Sequence, residues 1–362
     1  MTVTTYIGVG GKARKIKTAY IGVDGKARKV KKIYVGVGGK AKLCYMVIQN
    51  AIRKIGNPTG LSKEMSTVAT SVGNYALFGD SSTVDAYNSN LVRSTPTAQS
   101  QGRGYSGATS VGSYALFGGG FNSATVDAYN SNLVRSTPTA LSQGRASLAA
   151  TSVGNYALFG GGGITSNDTY YTTVDAYNSN LVRSTPTALS QGRLDLSATS
   201  VGNYALFGGG RRRGGFYSTV DAYNSNLVRS TPTALGQARE YPAATSVGSY
   251  ALFCGNGTKY YPNVDAYNSN LVRSTPTALS QGREDLAATS VGNYALFGGG
   301  RVNSRSYYSN VDAYNSNLVR STPTALSQGR ANFAAASVGN YALFGGGYAG
   351  SYYSTVDAYE FY

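Results

Sequence analysis

The phrase Thr-Ser-Val-Gly-Asn-Tyr-Ala-Leu-Phe-Gly-Gly recurs with small changes seven times in this 362-residue chain, each copy followed by Val-Asp-Ala-Tyr. Its tyrosine falls at Tyr75, Tyr114, Tyr156, Tyr204, Tyr250, Tyr294 and Tyr341, so successive units lie 39 to 48 residues apart. A unit of that size, built from short β-type phrases, cannot bury its own apolar faces and must stack on its neighbours. The chain is thereby restricted to a propeller or a solenoid.

Each unit reads as four strand segments. In one copy they are Ala149 to Val153, Tyr156 to Phe159, Thr173 to Tyr177 and Leu181 to Ala188. Gly154-Asn155 and Asn178-Ser179-Asn180 supply tight turns, because Gly and Asn tolerate the positive φ that such turns need. Tyr-Ala-Leu-Phe and Val-Asp-Ala-Tyr are apolar on both faces, as in strands packed on two sides. No segment has a helical period. The fourth segment carries Pro96, Pro138, Pro186, Pro232, Pro276 and Pro323, and a residue without an N–H belongs on an edge. That segment is therefore expected at the outer rim. The last unit ends at Val356-Asp357-Ala358-Tyr359-Glu360-Phe361-Tyr362 without a fourth segment, while Ala51 to Leu61 ends in Asn-Pro-Thr-Gly-Leu, like the Thr-Pro-Thr-Ala-Leu of the others. The N-terminal segment should complete the seventh blade and close the ring.

The Gly pair after an apolar strand (Phe159-Gly160-Gly161), the Arg before the first strand (Arg145, Arg193, Arg239, Arg283, Arg330) and the downstream Tyr177 resemble Kelch repeats. The resemblance covers residues 47–362 and implies an all-β, seven-bladed propeller of four-stranded blades. The chain has no Trp, and Leu181-Val182 sits near where a Kelch blade carries one.

Charge is distributed unevenly. Of the net +16, residues 1–56 contribute +12 from thirteen Lys or Arg and Asp24, leaving +4 for the other 306 residues. That basic segment holds a second repeat of period 14, Tyr6 to Lys15, Tyr20 to Lys29 and Tyr34 to Leu43. Gly10-Gly11, Asp24-Gly25 and Gly38-Gly39 read as two-residue hairpin turns. Three hairpins are too small to bury a core, so residues 1–45 are expected to anchor or oligomerise and residues 46–362 to form the propeller. The array resembles N-terminal segments of tail-associated structural proteins of phages that infect gut Firmicutes. The resemblance implies a virion component docked through residues 1–45 to other virion proteins, oligomeric in its assembly. Met1 to Lys17 lacks the apolar centre of a signal peptide, which fits synthesis in a bacterial cytoplasm. The Lys and Arg read as a solvated hairpin face; contact with an acidic partner is the alternative, and nucleic acid is not expected because no recognition motif accompanies the charge. Cys44 and Cys254 read as unpaired thiols.

Catalysis is largely excluded. Without any His, Ser-His-Asp and Cys-His systems cannot form, nor can His-containing zinc sites. No cofactor or metal is expected. The Asp of Val-Asp-Ala-Tyr recurs in every unit and reads as structural. One pairing of carboxylates suited to glycoside chemistry, among Asp195, Glu240, Glu284 and Asp285, is outweighed by its reading as solvated loop acids.

Variation points elsewhere. The insert between Phe of Tyr-Ala-Leu-Phe and Val of Val-Asp-Ala-Tyr runs through 5, 8, 14, 12, 10, 13 and 11 residues, whereas Asn-Ser-Asn-Leu-Val-Arg-Ser is unchanged in six copies. In an up-down-up-down blade, the inserts and the blade-to-blade junctions emerge on one face and the two invariant turns on the other. The variable face holds Tyr170-Tyr171, Phe216-Tyr217, Tyr260-Tyr261, Tyr307-Tyr308 and Tyr352-Tyr353, with Arg211, Arg212, Arg213, Arg301, Arg305, Tyr241 and Tyr348. Tyr beside Ser, Gly and Asn is the composition of a binding surface. The expectation is a non-enzymatic virion protein whose variable face binds a host-surface glycan or protein. A bacterial Kelch-type adaptor or surface adhesin is the alternative.

Overall fold

In each unit the central phrases form the middle of a sheet. A computed structural model describes residues 51–64, 68–255 and 260–362 and, within residues 5–41, the backbone of the strands. Blade 3 pairs Ala149–Val153 with Tyr156–Gly160, Val174–Asn178 and Arg183–Ser184, all antiparallel. Blades 1, 2, 4, 5 and 6 repeat this order from first strands at Val68–Val72, Gly107–Val111, Ser197–Val201, Ala243–Val247 and Ala287–Val291. Blade 7 begins at Ala334–Val338, and its fourth strand is Ile52–Lys54, laid on Val356–Phe361. The protein is a seven-bladed, all-β propeller closed by its N-terminal strand. Its described helix is one 3₁₀ turn, Thr165–Asn167.

The fourth strand is shorter than Leu181 to Ala188. Leu181 takes a left-handed φ of 59° in the preceding turn, ladder pairing stops after Arg183–Ser184, and Pro186 has no N–H to extend it. The residues beyond cross to the next blade, where Leu189 is buried against Ala205, Phe207 and Tyr223 and the Thr187 carbonyl accepts the Tyr223 hydroxyl at 2.7 Å.

Three contacts fix each blade on the next. The Phe ring of one blade lies over the strand-end glycine of its neighbour: a Cβ on Gly160 would come within 2.8 Å of Phe207. Cys254 stands at the equivalent position in blade 5, a free buried thiol packed with Phe297. Cys44 and the three hairpin turns lie outside the described residues. On the invariant face, the first-turn glycine meets the Ser of the next blade's Asn-Ser-Asn turn: a Cβ on Gly154 would sit 3.1 Å from that of Ser225, and on Gly339 3.3 Å from Ser89. The two invariant turns thus constrain one another at every boundary but that between blades 6 and 7, where the last unit has no Asn-Ser-Asn. Each Asn-Ser-Asn turn is also closed by its own side chain, as where Asn178 Oδ1 accepts the N–H of Asn180 and of Val182.

The third contact is ionic. Asp175 is fully buried and accepts Arg145 at 2.9 Å and Arg183 at 3.1 Å. It also takes the N–H and hydroxyl of Ser142 at 3.1 and 3.0 Å. Ser142 and Arg145 belong to the segment arriving from blade 2, so the carboxylate fastens incoming chain to the third strand of blade 3. Arg103–Asp127, Arg193–Asp221, Arg239–Asp265, Arg283–Asp312 and Arg330–Asp357 repeat the pair. At Asp357 the second cation is Lys54 of the closing strand, at 2.6 Å. Blade 1 differs: Ser62 bonds Asp85 as elsewhere, but residues 62–67 contain no Arg and Arg93 stands 3.6 Å away.

Residues Lys54–Glu360 form one compact unit, and residues 1–53 with Phe361 and Tyr362 another. In the latter, Thr5–Val9 pairs with Lys12–Ile16, Ala19–Val23 with Lys26–Val30, and Gly36–Val37 with Lys40–Ala41.

Removing one partner of a buried ion pair leaves the other charged and desolvated, at a cost of about 3–5 kcal/mol. Asp221→Ala is expected to lose that much unfolding free energy, read by denaturant titration. Asp85→Ala should lose less, since no buried guanidinium faces it among the described residues. Equal losses would show that the pairs do not hold the blades.

Candidate functional site

Six residues occupy the same place in successive blade-to-blade junctions: Tyr105, Ser147, Asp195, Tyr241, Asp285 and Asn332. Each has a left-handed backbone, with φ between 46° and 57°. The N–H of Ser147 donates to the Tyr105 carbonyl at 2.9 Å, that of Asp195 to Ser147 at 3.0 Å, that of Tyr241 to Asp195 at 2.9 Å and that of Asn332 to Asp285 at 3.1 Å. These peptides form a collar around the central axis. The first strands stand inside it, with small residues such as Ala108, Ala150 and Ala198 lining the axial channel.

Above the collar opens a funnel of about 770 Å³, lined by all six collar residues. Its remaining wall is sectored. Around blades 7 and 2 it is aromatic: Phe333, Tyr348, Tyr352, Tyr105 and Phe121. Tyr105 and Phe121 are 61% and 67% exposed, yet meet edge to face at 5.2 Å. Tyr348 meets Tyr352 at 5.2 Å and Tyr307 at 6.1 Å.

Around blades 4 to 6 the wall is ionic. Arg211 bridges Asp195 at 2.7 Å and Glu240 at 2.9 Å, with its guanidinium 6.0 Å from the Tyr241 ring. Arg301 bridges Asp285 at 2.7 Å and Glu284 at 3.2 Å. The four carboxylates are therefore not solvated loop acids. Asp195 and Glu284 are buried, and Glu240 and Asp285 are partly buried. Burial raises all four above the usual carboxylate range, with Arg211 and Arg301 pulling the other way. Glu284 is pushed up to about 7 by burial and then by its neighbour Asp285.

Of the residues singled out in the sequence, Tyr241, Arg301, Tyr348 and Tyr352 line this funnel, and Arg211 braces it through Asp195. The second Tyr of the pairs has another place. Tyr171, Tyr217, Tyr308 and Tyr353 each donate a backbone N–H at 2.8 Å to Gly162, Gly210, Gly300 and Gly347, and all four side chains are partly buried. They zip the inserts closed.

Tyr170 and Arg213 lie outside the funnel, joining two inserts: the Arg213 N–H reaches the Tyr170 hydroxyl at 2.8 Å and its side chain Asp168 at 2.7 Å. That exposed pair is worth little. Arg212 and Arg305 are exposed, and Tyr260 and Tyr261 are partly buried. Tyr105, Phe121, Ser147, Asn332 and Phe333 were not foreseen as ligand contacts. The recurring middle position of the variable junction was the signal that could have found Tyr105, Ser147 and Asn332.

No protein-family profile matches this chain, and no curated protein matches it. Among solved structures, the chain is similar to YjhT, also a propeller, with a TM-score of 0.57 and 14% identity over 70% of this chain and 94% of that one. At that identity the likeness shows the fold alone.

A carboxyl whose pKa is higher in the folded than in the unfolded state holds an extra proton when folded, so stability falls as pH rises from the unfolded to the folded value. For Glu284 this window runs from 4.5 to about 7. Tm should therefore decline from pH 5 to pH 8, and Glu284→Gln should flatten part of the decline. A slope unaffected by that substitution would place the titration elsewhere. Separately, Tyr353→Ala should lower Tm, whereas Tyr352→Ala, at an exposed ring, should leave it nearly unchanged.

Proposed function

We propose that this chain is a non-enzymatic, tail-associated phage virion protein, built on Kelch-type repeats, whose propeller binds a host-surface glycan in the central funnel. The observation that carries the reading is the sectored wall. Aromatic rings at blades 7 and 2 share the lining with Asp195, Asp285 and Arg301 at blades 4 to 6. A sugar has the matching duality, an apolar face for stacking and a rim of hydroxyls for charge-assisted hydrogen bonds. Further support comes from where sequence variation falls. A rigid scaffold that holds one face constant and varies the other has the form of a recognition surface. The basic hairpin array supports the virion role, as a small module that needs a larger assembly to dock on.

Ala substitutions at Tyr105, Phe121, Tyr348 and Tyr352 should weaken binding of the full chain to host cells and to arrayed glycans by about 1 kcal/mol per lost aromatic contact. Substitutions at Asn180 on the opposite face should not. Normal binding by the aromatic variants, or binding only to a protein on the cell surface, would refute the glycan site.

A further inference from the structure

We infer that the collar residues Tyr105, Ser147, Asp195, Tyr241, Asp285 and Asn332 are the specificity-determining positions of the funnel, and that the sugar they select is neutral or amino-bearing rather than anionic. The inference rests on the glycan reading above and deepens it.

The first argument is conformational. A left-handed backbone favours glycine and costs other residues free energy. This chain places glycine at comparable positions nearby: Gly162, Gly210, Gly300 and Gly347 all have positive φ. None of the six collar positions is glycine. Left-handed leucines occur too, at Leu181 and its counterparts, but those pack on the core. The collar side chains instead line the funnel. Backbone strain kept at Tyr105, an exposed ring away from the core, points to use of the side chain.

The second argument is modularity. The collar is held by peptide-to-peptide hydrogen bonds, which are indifferent to the side chain carried. The backbone at this place can therefore carry a different residue in each blade, and Asp195 adds side-chain hydrogen bonds to its collar neighbours Ser147 and Tyr241. In units otherwise nearly identical, this place holds Tyr, Ser, Asp, Tyr, Asp and Asn.

The third argument is charge. Arg211 and Arg301 are each shared between two carboxylates, and the part of this sector that lines the funnel is Asp195, Asp285 and Arg301, two acids to one guanidinium. An ionised carboxylate only accepts hydrogen bonds. Its partner must supply donors, meaning hydroxyl or ammonium groups, and a carboxylated sugar would meet repulsion.

The test is the full chain on an array of neutral, amino-bearing and carboxylated sugars, with folding of each variant followed by Tm. Wild-type signal should be confined to the first two classes. Asp195→Asn with Asp285→Asn should weaken amino-bearing sugars about tenfold, as for loss of a hydrogen bond to a charged group, and should admit carboxylated ones. Asn332→Asp, conservative at an exposed position, keeps the test alive if the double variant does not fold, and should shift the profile further from carboxylated sugars. Tyr105→Gly should lose binding without lowering Tm. An unchanged sugar profile in folded collar variants, while Tyr348→Ala and Tyr352→Ala lose binding, would overturn the collar and spare the glycan site. Best binding to carboxylated sugars by the wild type would overturn the charge argument. Absence of binding to any sugar would refute the glycan reading, and this inference with it.

Discussion

Six arginine–aspartate pairs sit out of contact with water between the blades, and the propeller's geometry depends on them. A guanidinium with no exposure, such as Arg145 or Arg283, is tolerable only where a carboxylate waits for it. Even here the satisfaction is partial: the Nε atoms of Arg145, Arg193, Arg239, Arg283 and Arg330 have no hydrogen-bond partner. Such pairs contribute modestly to net stability, because desolvation offsets most of the attraction. What they penalise is error. In a chain of near-copies, a blade that slips in register or pairs with the wrong neighbour strands a charge in an apolar interior. Seating is thus enforced by the cost of the alternatives more than by the depth of the native well.

The same arrangement divides labour between the two faces. On one, glycine against serine at six boundaries leaves little room to change either turn. On the other, junctions and inserts hang from the ionic pairs and the collar peptides, which ask nothing of side-chain identity. Variation is concentrated where the scaffold is indifferent to it. The insert tyrosines show the limit of that freedom: in four of the five pairs one is recruited to close its own hairpin, and only a few rings reach the funnel.

Much of the fold was readable from residues. Periodicity gave the blade count, two-sided apolar phrases the inner strands, and the orphan Asn-Pro-Thr-Gly-Leu the closing strand. The fourth strand was overextended because a run of Leu, Val, Arg, Ser and Thr looks extended whether or not a partner lies beside it; the left-handed Leu181 that shortens it has no local signature. The site was half legible. Composition pointed to the face on which the funnel opens, but Tyr-rich inserts drew attention from the junctions. Which rings face the axis depends on radial position, a property of the closed ring. Asp195 and Asp285 looked like solvated acids because their arginine partners come from the following insert, sixteen residues away.

Because Phe-on-glycine, glycine-on-serine and arginine-on-aspartate contacts recur almost unchanged from blade 2 to blade 6, the internal blades are physically interchangeable parts. Exchanging the order of two of them rebuilds equivalent interfaces while rewriting the sequence of side chains around the mouth. Near-identical repeats also recombine readily at the level of coding sequence. A ring of this kind holds its recognition code as a permutation, so new binding surfaces are reachable by shuffling cassettes as well as by changing single residues.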